Sequence, residues 1–186
     1  MLKGILQYAH ELLEESIQPG ELAVDATCGN GYDTLFLSNL VGKDGKVLAF
    51  DVQEQAIKAT EELLIKNNKS HVALIQNSHE FVSDYIQDSE KIGGAIFNLG
   101  YLPRSDKKII TKGSSTIKAL ESMLDRLKKK GLIVLVVYHG HEGGKEEKDA
   151  IIQFVKQLEQ KKFNVLQHGF INQQNDPPFI IAIEKR

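Results

Sequence analysis

Two stretches of this sequence join residue types and spacing that could do chemistry on a small molecule. The first is Asp25-Ala26-Thr27-Cys28-Gly29-Asn30-Gly31, which closes the apolar run Leu22 to Ala26. Glycines at 29 and 31 let the backbone turn sharply and approach a ligand without side-chain obstruction. A helix after such a turn points its free amide groups at the same space. Asp51 ends the next apolar run, 22 residues beyond Gly29. An acid there accepts hydrogen bonds from both hydroxyls of an unphosphorylated ribose, so the spacing predicts an adenosine-type cofactor. The second stretch is Asn98-Leu99-Gly100-Tyr101-Leu102-Pro103. The Asn98 side-chain oxygen and the Leu99 carbonyl can accept the hydrogens of an amine and so aim its lone pair, while Tyr101 packs against the target group.

Two familiar nucleotide sites are poor matches. A dinucleotide fingerprint needs a third glycine at position 34, where Thr34 stands, and the phosphate loop of nucleotide hydrolases needs a Gly-Lys-Ser/Thr ending that does not occur. Counting back from Gly29 to Asp25 instead gives D-x-x-x-G-x-G, which resembles the first motif of class I methyltransferases. The second stretch resembles the Asn/Asp-Pro-Pro-Tyr motif of amino-methyltransferases, with Leu99-Gly100 in place of the two prolines. The bland alternatives are a tight strand-to-helix turn for the first and a strand-end asparagine cap for the second. An alkylamine target is mostly a cation at pH 7, so such a site must favour the neutral form or supply a base. His139 and His141, in Tyr138-His139-Gly140-His141-Glu142-Gly143-Gly144, are the candidates for that base, and a polar surface turn is the equal alternative. Two histidines without further spaced ligands do not fill a zinc site, so no metal is expected.

Positioning these residues requires strands that end at them. Hydrophobic periodicity predicts strands over 22–26, 46–51, 71–76, 92–98, 132–138, 163–167 and 179–184. Between them it predicts helices near 2–17, 33–41, 53–67 and 80–86. Ile117 to Leu127, closed by Gly131, marks another helix, and Ile151 to Leu158 the last. The alternation implies an α/β fold: a doubly wound, mostly parallel sheet of about seven strands, with the final two pairing antiparallel at one edge. Ligands of such sheets sit beyond the carboxyl ends of the strands. That rule gathers 25–31, 51–53, 77–79, 98–103 and 138–144. The loop Asn172 to Pro178 should fold over the pocket mouth.

The bulk properties narrow the class. The chain has 186 residues, 41% hydrophobic and 26% charged, which suits one domain with an N-terminal helix. No apolar run reaches the roughly 18 residues of a membrane span. A net charge of −2 disfavours unspecific nucleic-acid binding, although Arg104, Lys107, Lys108 and Lys112 form a local basic cluster. The lone Cys28 has no disulfide partner, which suits a reducing cytoplasm.

Taken together, the segments 25–34, 51–53, 78–80, 98–103, 138–144 and Pro177-Pro178 resemble the small bacterial methyltransferases once labelled ribosomal RNA methylases. Members of that family methylate the amine of 5-aminomethyl-(2-thio)uridine at the wobble position of transfer RNA. The resemblance implies a class I methyltransferase fold with S-adenosyl-L-methionine as cofactor and a tRNA anticodon loop as partner. It implies that Asn30, Asp33 and Thr34 hold the methionine end, beside Asp25, Thr27, Cys28, Gly29 and Gly31. Asp51 and Gln53 would hold the ribose, Ser78 and His79 would lie near the adenine, and Asn98 to Tyr101 would present the amine. Arg104, Tyr138, His139, Pro177 and Pro178 would line the substrate side. With no separate RNA-binding domain, the pocket rim must grip the RNA, and a homodimer would enlarge that surface. The competing readings are methylation of ribosomal RNA or a protein amine, a nicotinamide oxidoreductase, and a non-catalytic RNA-binding module.

Overall fold

The apolar runs become strands and the striped segments become helices in a computed structural model, which describes residues 1–100 and 112–186. The strands are β1 (Leu22–Asp25), β2 (Lys46–Asp51), β3 (Val72–Gln76), β4 (Ile92–Leu99), β5 (Leu127–Val137), β6 (Phe163–Gly169) and β7 (Phe179–Lys185). The helices are α1 (Ile5–Ser16), α2 (Tyr32–Val41), α3 (Glu54–Lys66), α4 (Gly113–Arg126) and α5 (Gly144–Lys156), with a 3-10 helix at His79–Tyr85. The sheet runs β3-β2-β1-β4-β5-β7-β6. Its first five members are parallel, and β7 runs against both β5 and β6. The expected α/β class and the reversed last strand are thus both present.

Alternation along the central strands builds two cores. Ala95, Phe97, Ile133, Leu135 and Val137 face α4 and α5. Ile96, Val134 and Val136 face α1 and α2, where Ala9, Leu13, Leu37 and Val41 meet them. β5 is buried on both faces from Leu132 to Val137, as its unbroken apolar run predicts. The glycine pair in β4 has a packing reason. A Cβ on Gly94 would come within 2.7 Å of the Ile17 side chain, so only glycine lets the chain after α1 lie this close to the sheet.

Two expectations need correction. Gly131 does not close α4: the helix stops at Arg126, and 127–131 already belongs to β5, through a register shift opposite Ile92 and Gly94. Lys130 there takes φ 63, and Gly131 is needed because a Cβ would crowd Leu127 at 2.9 Å. Lys128 therefore pairs with Glu21 and donates to the Ser16 carbonyl at the end of α1, and Lys130 pairs with Glu184. α3 buries Ala56, Thr60 and Leu64, which are four residues apart, with Ala59 and Leu63 half-buried beside them. α5 begins at Gly144, nearly two turns before Ile151.

Candidate active site

The carboxyl ends of β1, β2, β4 and β5 bring the expected segments to one edge of the sheet. Asp25 ends β1, in register with Ala49 of β2 and Ile96 of β4, and Asn98 of β4 lies opposite Val136 of β5. The glycine turn after β1 is built on side chains from its neighbours. Gly29 N–H donates to Asp51 Oδ2 at 3.1 Å, and Gln53 N–H donates to Asp51 Oδ1 at 3.0 Å. Asp51 thus ties the turn to the end of β2. Thr60 of α3 supports the turn from below, its hydroxyl donating to the Gly29 carbonyl at 3.2 Å. Gly31 has φ 85, and a Cβ there would meet Thr60 Cα at 2.9 Å. Asn30 is exposed at the tip, while Cys28 is buried, its thiol pushed up by that burial.

Asp25 and Thr34 form the floor. Both are fully buried, and Thr34 Oγ1 donates to Asp25 Oδ2 at 2.6 Å while Thr27 N–H donates to Asp25 Oδ1 at 3.1 Å. The Asp25 carboxyl is pushed up to about 8, first by burial and then by the Asp33 charge, with Asp51 contributing. Asp51 is likewise raised by burial, against the pull of its backbone donors. Thr34 is therefore occupied in holding Asp25, beneath the place where the resemblance set it against the methionine end.

Asn98 faces this turn. Its backbone N–H donates to Thr27 Oγ1 at 2.7 Å, and its side-chain Nδ2 donates to Asp33 Oδ2 at 2.9 Å. The Leu99 carbonyl, expected to accept from a target amine, already accepts from Tyr138 N–H at 3.1 Å, because β4 and β5 keep their ladder one step past Asn98. Gly100 lies against the histidine loop: a Cβ on it would meet Tyr138 at 3.4 Å and His141 at 3.8 Å. His141 is shifted down by burial and then by the charge of His139 beside it, which keeps its ring neutral at pH 7. Tyr138 is shifted up by burial and by Asp33, which keeps its phenol protonated. His139 Nδ1 stands 3.8 Å from Asp176, so the 172–178 loop does pack on the histidine loop, and Pro177 and Pro178 are half-buried behind it.

Ser78 caps the 3-10 helix, accepting from Glu80 N–H at 3.4 Å. His79 turns inward instead of toward the opening. Its Nδ1 meets the Ala26 carbonyl at 2.9 Å, its ring packs edge-on against Phe97 and burial lowers its pKa. Tyr101 and Arg104, with Lys107 and Lys108 of the basic cluster, lie outside the described residues; Lys112 stands exposed before α4. Two residues with no motif to mark them also belong to the site: Thr60 under the turn, and His10 of α1, whose Nε2 lies 2.7 Å from Asp33 Oδ1.

The donor set selects among ligands. Asp25, Asp33 and Asp51 converge on the turn closely enough for Asp33 and Asp51 to raise Asp25. A dinucleotide would set its pyrophosphate at the start of α2, where Asp33 stands, and like charges there repel. S-adenosyl-L-methionine brings a sulfonium and an ammonium, and the acidic turn suits both. A glycine turn, an acid ending β2 and an asparagine near the end of β4, on a sheet with a reversed last strand, define a class I methyltransferase site, and its cofactor is S-adenosyl-L-methionine.

Comparison with known proteins agrees. The family model described as "Putative rRNA methylase" matches residues 47–184, and the chain belongs to that family. A "putative rRNA-methylase" of Clostridium thermocellum superposes with TM-score 0.97 at 41% identity, covering 100% of both chains. A "putative methyltransferase" of Streptococcus mutans, solved in complex with SAH, superposes with TM-score 0.91 at 41% identity, again over 100% of both chains. The chain is 39% identical over 161 residues to the chloroplastic tRNA (mnm(5)s(2)U34)-methyltransferase of Arabidopsis thaliana, which spans 82% of this chain and 59% of that protein. The chain thus covers under two thirds of that relative's length.

Proposed function

We propose that this protein transfers a methyl group from S-adenosyl-L-methionine to the amine of 5-aminomethyl-(2-thio)uridine at the wobble position of transfer RNA. The observation that carries the reading is the set of the Asn98 amide: its nitrogen is committed to Asp33, so its oxygen is the end left for a target amine. The name of the Arabidopsis relative supports the substrate. When bound, the cofactor supplies an electrophilic methyl, so the residues have to align and deprotonate rather than activate. Asn98 Oδ1 accepts an amine N–H and turns the lone pair toward the turn at Gly29. Asp51 and Gln53 take the ribose. His141, neutral at pH 7, accepts the proton that the methylated nitrogen sheds, and Tyr138 stays a donor beside it. The rim from Lys112 to the 172–178 loop holds the anticodon stem-loop, and a second copy of the chain extends that rim.

The test is an assay with transfer RNA isolated before this modification. Asn98→Ala should keep S-adenosylhomocysteine affinity by calorimetry and lose about a hundredfold or more in methyl transfer. Asp51→Ala should weaken S-adenosylhomocysteine binding by about tenfold, the loss of one or two hydrogen bonds to a charged group. Near-normal turnover in the Asn98 variant removes that residue from the mechanism. The family description favours a second reading, methylation of ribosomal RNA. Nucleoside analysis of a deletion strain separates the two: accumulation of wobble 5-aminomethyl-uridine supports the first, and loss of a ribosomal methyl mark supports the second.

A further inference from the structure

We propose that His10, on α1 and outside the residues assigned above to cofactor or substrate, is a positioning residue that acts through Asp33 to fix which way round the Asn98 amide stands. The inference rests on the proposed role of Asn98 as acceptor of the target amine. His10 Nε2 lies 2.7 Å from Asp33 Oδ1, and Asn98 Nδ2 donates to Asp33 Oδ2 at 2.9 Å, so one carboxylate bridges the two side chains.

The chemistry of a carboxylate makes this bridge directional. Its oxygens only accept, so both partners must present N–H. His10 therefore carries its proton on Nε2. Asn98 turns its NH₂ inward and its oxygen outward. A flipped amide would offer N–H to the N–H of the amine, and the lone pair would no longer be aimed. The Asn98 backbone is already pinned to Thr27 Oγ1 at 2.7 Å, so the flip of its side chain is the freedom left to remove.

His10 is itself held on two sides. Its ring stacks on Phe36 with centroids 3.9 Å apart and planes 8° from parallel. The neighbouring Ala9 is fully buried under the sheet, with Leu13 one turn on. α1 thus acts as a fixed post, and Asp33 receives its second hydrogen bond from a part of the chain that carries no cofactor motif. Without His10, the Asp33 carboxylate is free to rotate about its side-chain bonds, and it no longer holds the Asn98 amide in one orientation.

The test compares His10→Phe, which keeps a ring to stack on Phe36 but has no donor, with His10→Gln, whose amide N–H can stand in for Nε2–H. With transfer RNA that carries wobble 5-aminomethyl-(2-thio)uridine, His10→Phe should lower kcat by about tenfold or more while the KM for RNA and the Kd for S-adenosylhomocysteine stay within about twofold, the split expected of lost alignment. His10→Gln should recover most of that kcat. Equal kcat in His10→Phe and wild type overturns the proposal. So does a His10→Gln variant as slow as His10→Phe, which would make proton exchange by the ring, and not its position, the contribution. Failure of wild type itself to methylate wobble 5-aminomethyl-uridine is a different result: it rejects the proposed function, and this inference with it. A measurement on wild type covers the case of a poorly folded variant. ¹⁵N NMR of the histidine rings should show Nε2 of His10 protonated at assay pH, and an unprotonated Nε2 overturns the proposal.

Discussion

At the scale of single residues, Asp25 is the group most altered by folding. Its carboxyl moves from the ordinary 3.8 to about 8, chiefly because burial penalises the charge. The folded state therefore binds a proton that the unfolded chain releases above pH 4. The stability that follows from this is fully present below the unfolded pKa and is lost as pH rises through about 8. Asp25→Asn, which cannot ionise but can still pair with Thr34 and the Thr27 N–H, should flatten the profile. Thermal melts between pH 5 and pH 9 check this: wild type should lose Tm across the range, and the variant should lose visibly less. Asp25 and Asn98 were legible in the sequence because each ends an apolar run. His10 was not. It reaches Asp33 across 23 positions, and nothing in its local sequence differs from an ordinary half-exposed helix residue. The resemblance sets His79 near the adenine but says nothing of its ring, because sequence does not show that the Ala26 carbonyl accepts a hydrogen bond from its Nδ1.

At the scale of elements, the glycine turn depends on α3 as much as on β1. Gly31 sits at φ 85 against Thr60, so a methyl group there is strained by the backbone and blocked by the helix. Gly31→Ala should cost about 2–4 kcal/mol, the sum of a left-handed penalty and a forced shift, and lower Tm by roughly 5–10 °C. It should also weaken S-adenosylhomocysteine binding at temperatures where the variant remains folded, as calorimetry would show. A Tm within a degree of wild type would mean that α3 yields easily. Strand positions were legible because their period is two and their ends carry turn residues. The end of α4 was not, because Lys128-Lys129-Lys130-Gly131 has the composition of a helix C-terminus. The early bonds of β5 to β4 take precedence over that local preference, and the lysines find acids on other elements. The burial of polar Thr60 on α3 was not legible either; it follows from the hydrogen bond to Gly29.

At the scale of the whole molecule, the proposed function requires a net charge of −2 and an acidic pocket to meet a polyanion. Attraction for RNA is then local. Lys112 before α4 and Lys145 in the first turn of α5 are exposed on the two helices that start at the site's edge of the sheet. Charge reversal at both should raise the KM for transfer RNA by about tenfold and reduce the slope of log K against log salt by roughly 1–2, while S-adenosylhomocysteine binding is unchanged. An unaltered salt slope would place the phosphate contacts elsewhere on the rim. Which lysines flank the pocket was not legible in the sequence, since that depends on where the helices begin. The order of the sheet has one more consequence. β7 lies between β5 and β6, yet it is made after both. While the ribosome is still translating, β6 has no neighbour to pair with, and the apolar flank of β5 stands open to solvent. Vectorial folding can assemble β1 to β5 as they emerge, but closure must wait for Phe179–Lys185, so the nascent chain passes through a stage with an unpaired, aggregation-prone strand edge.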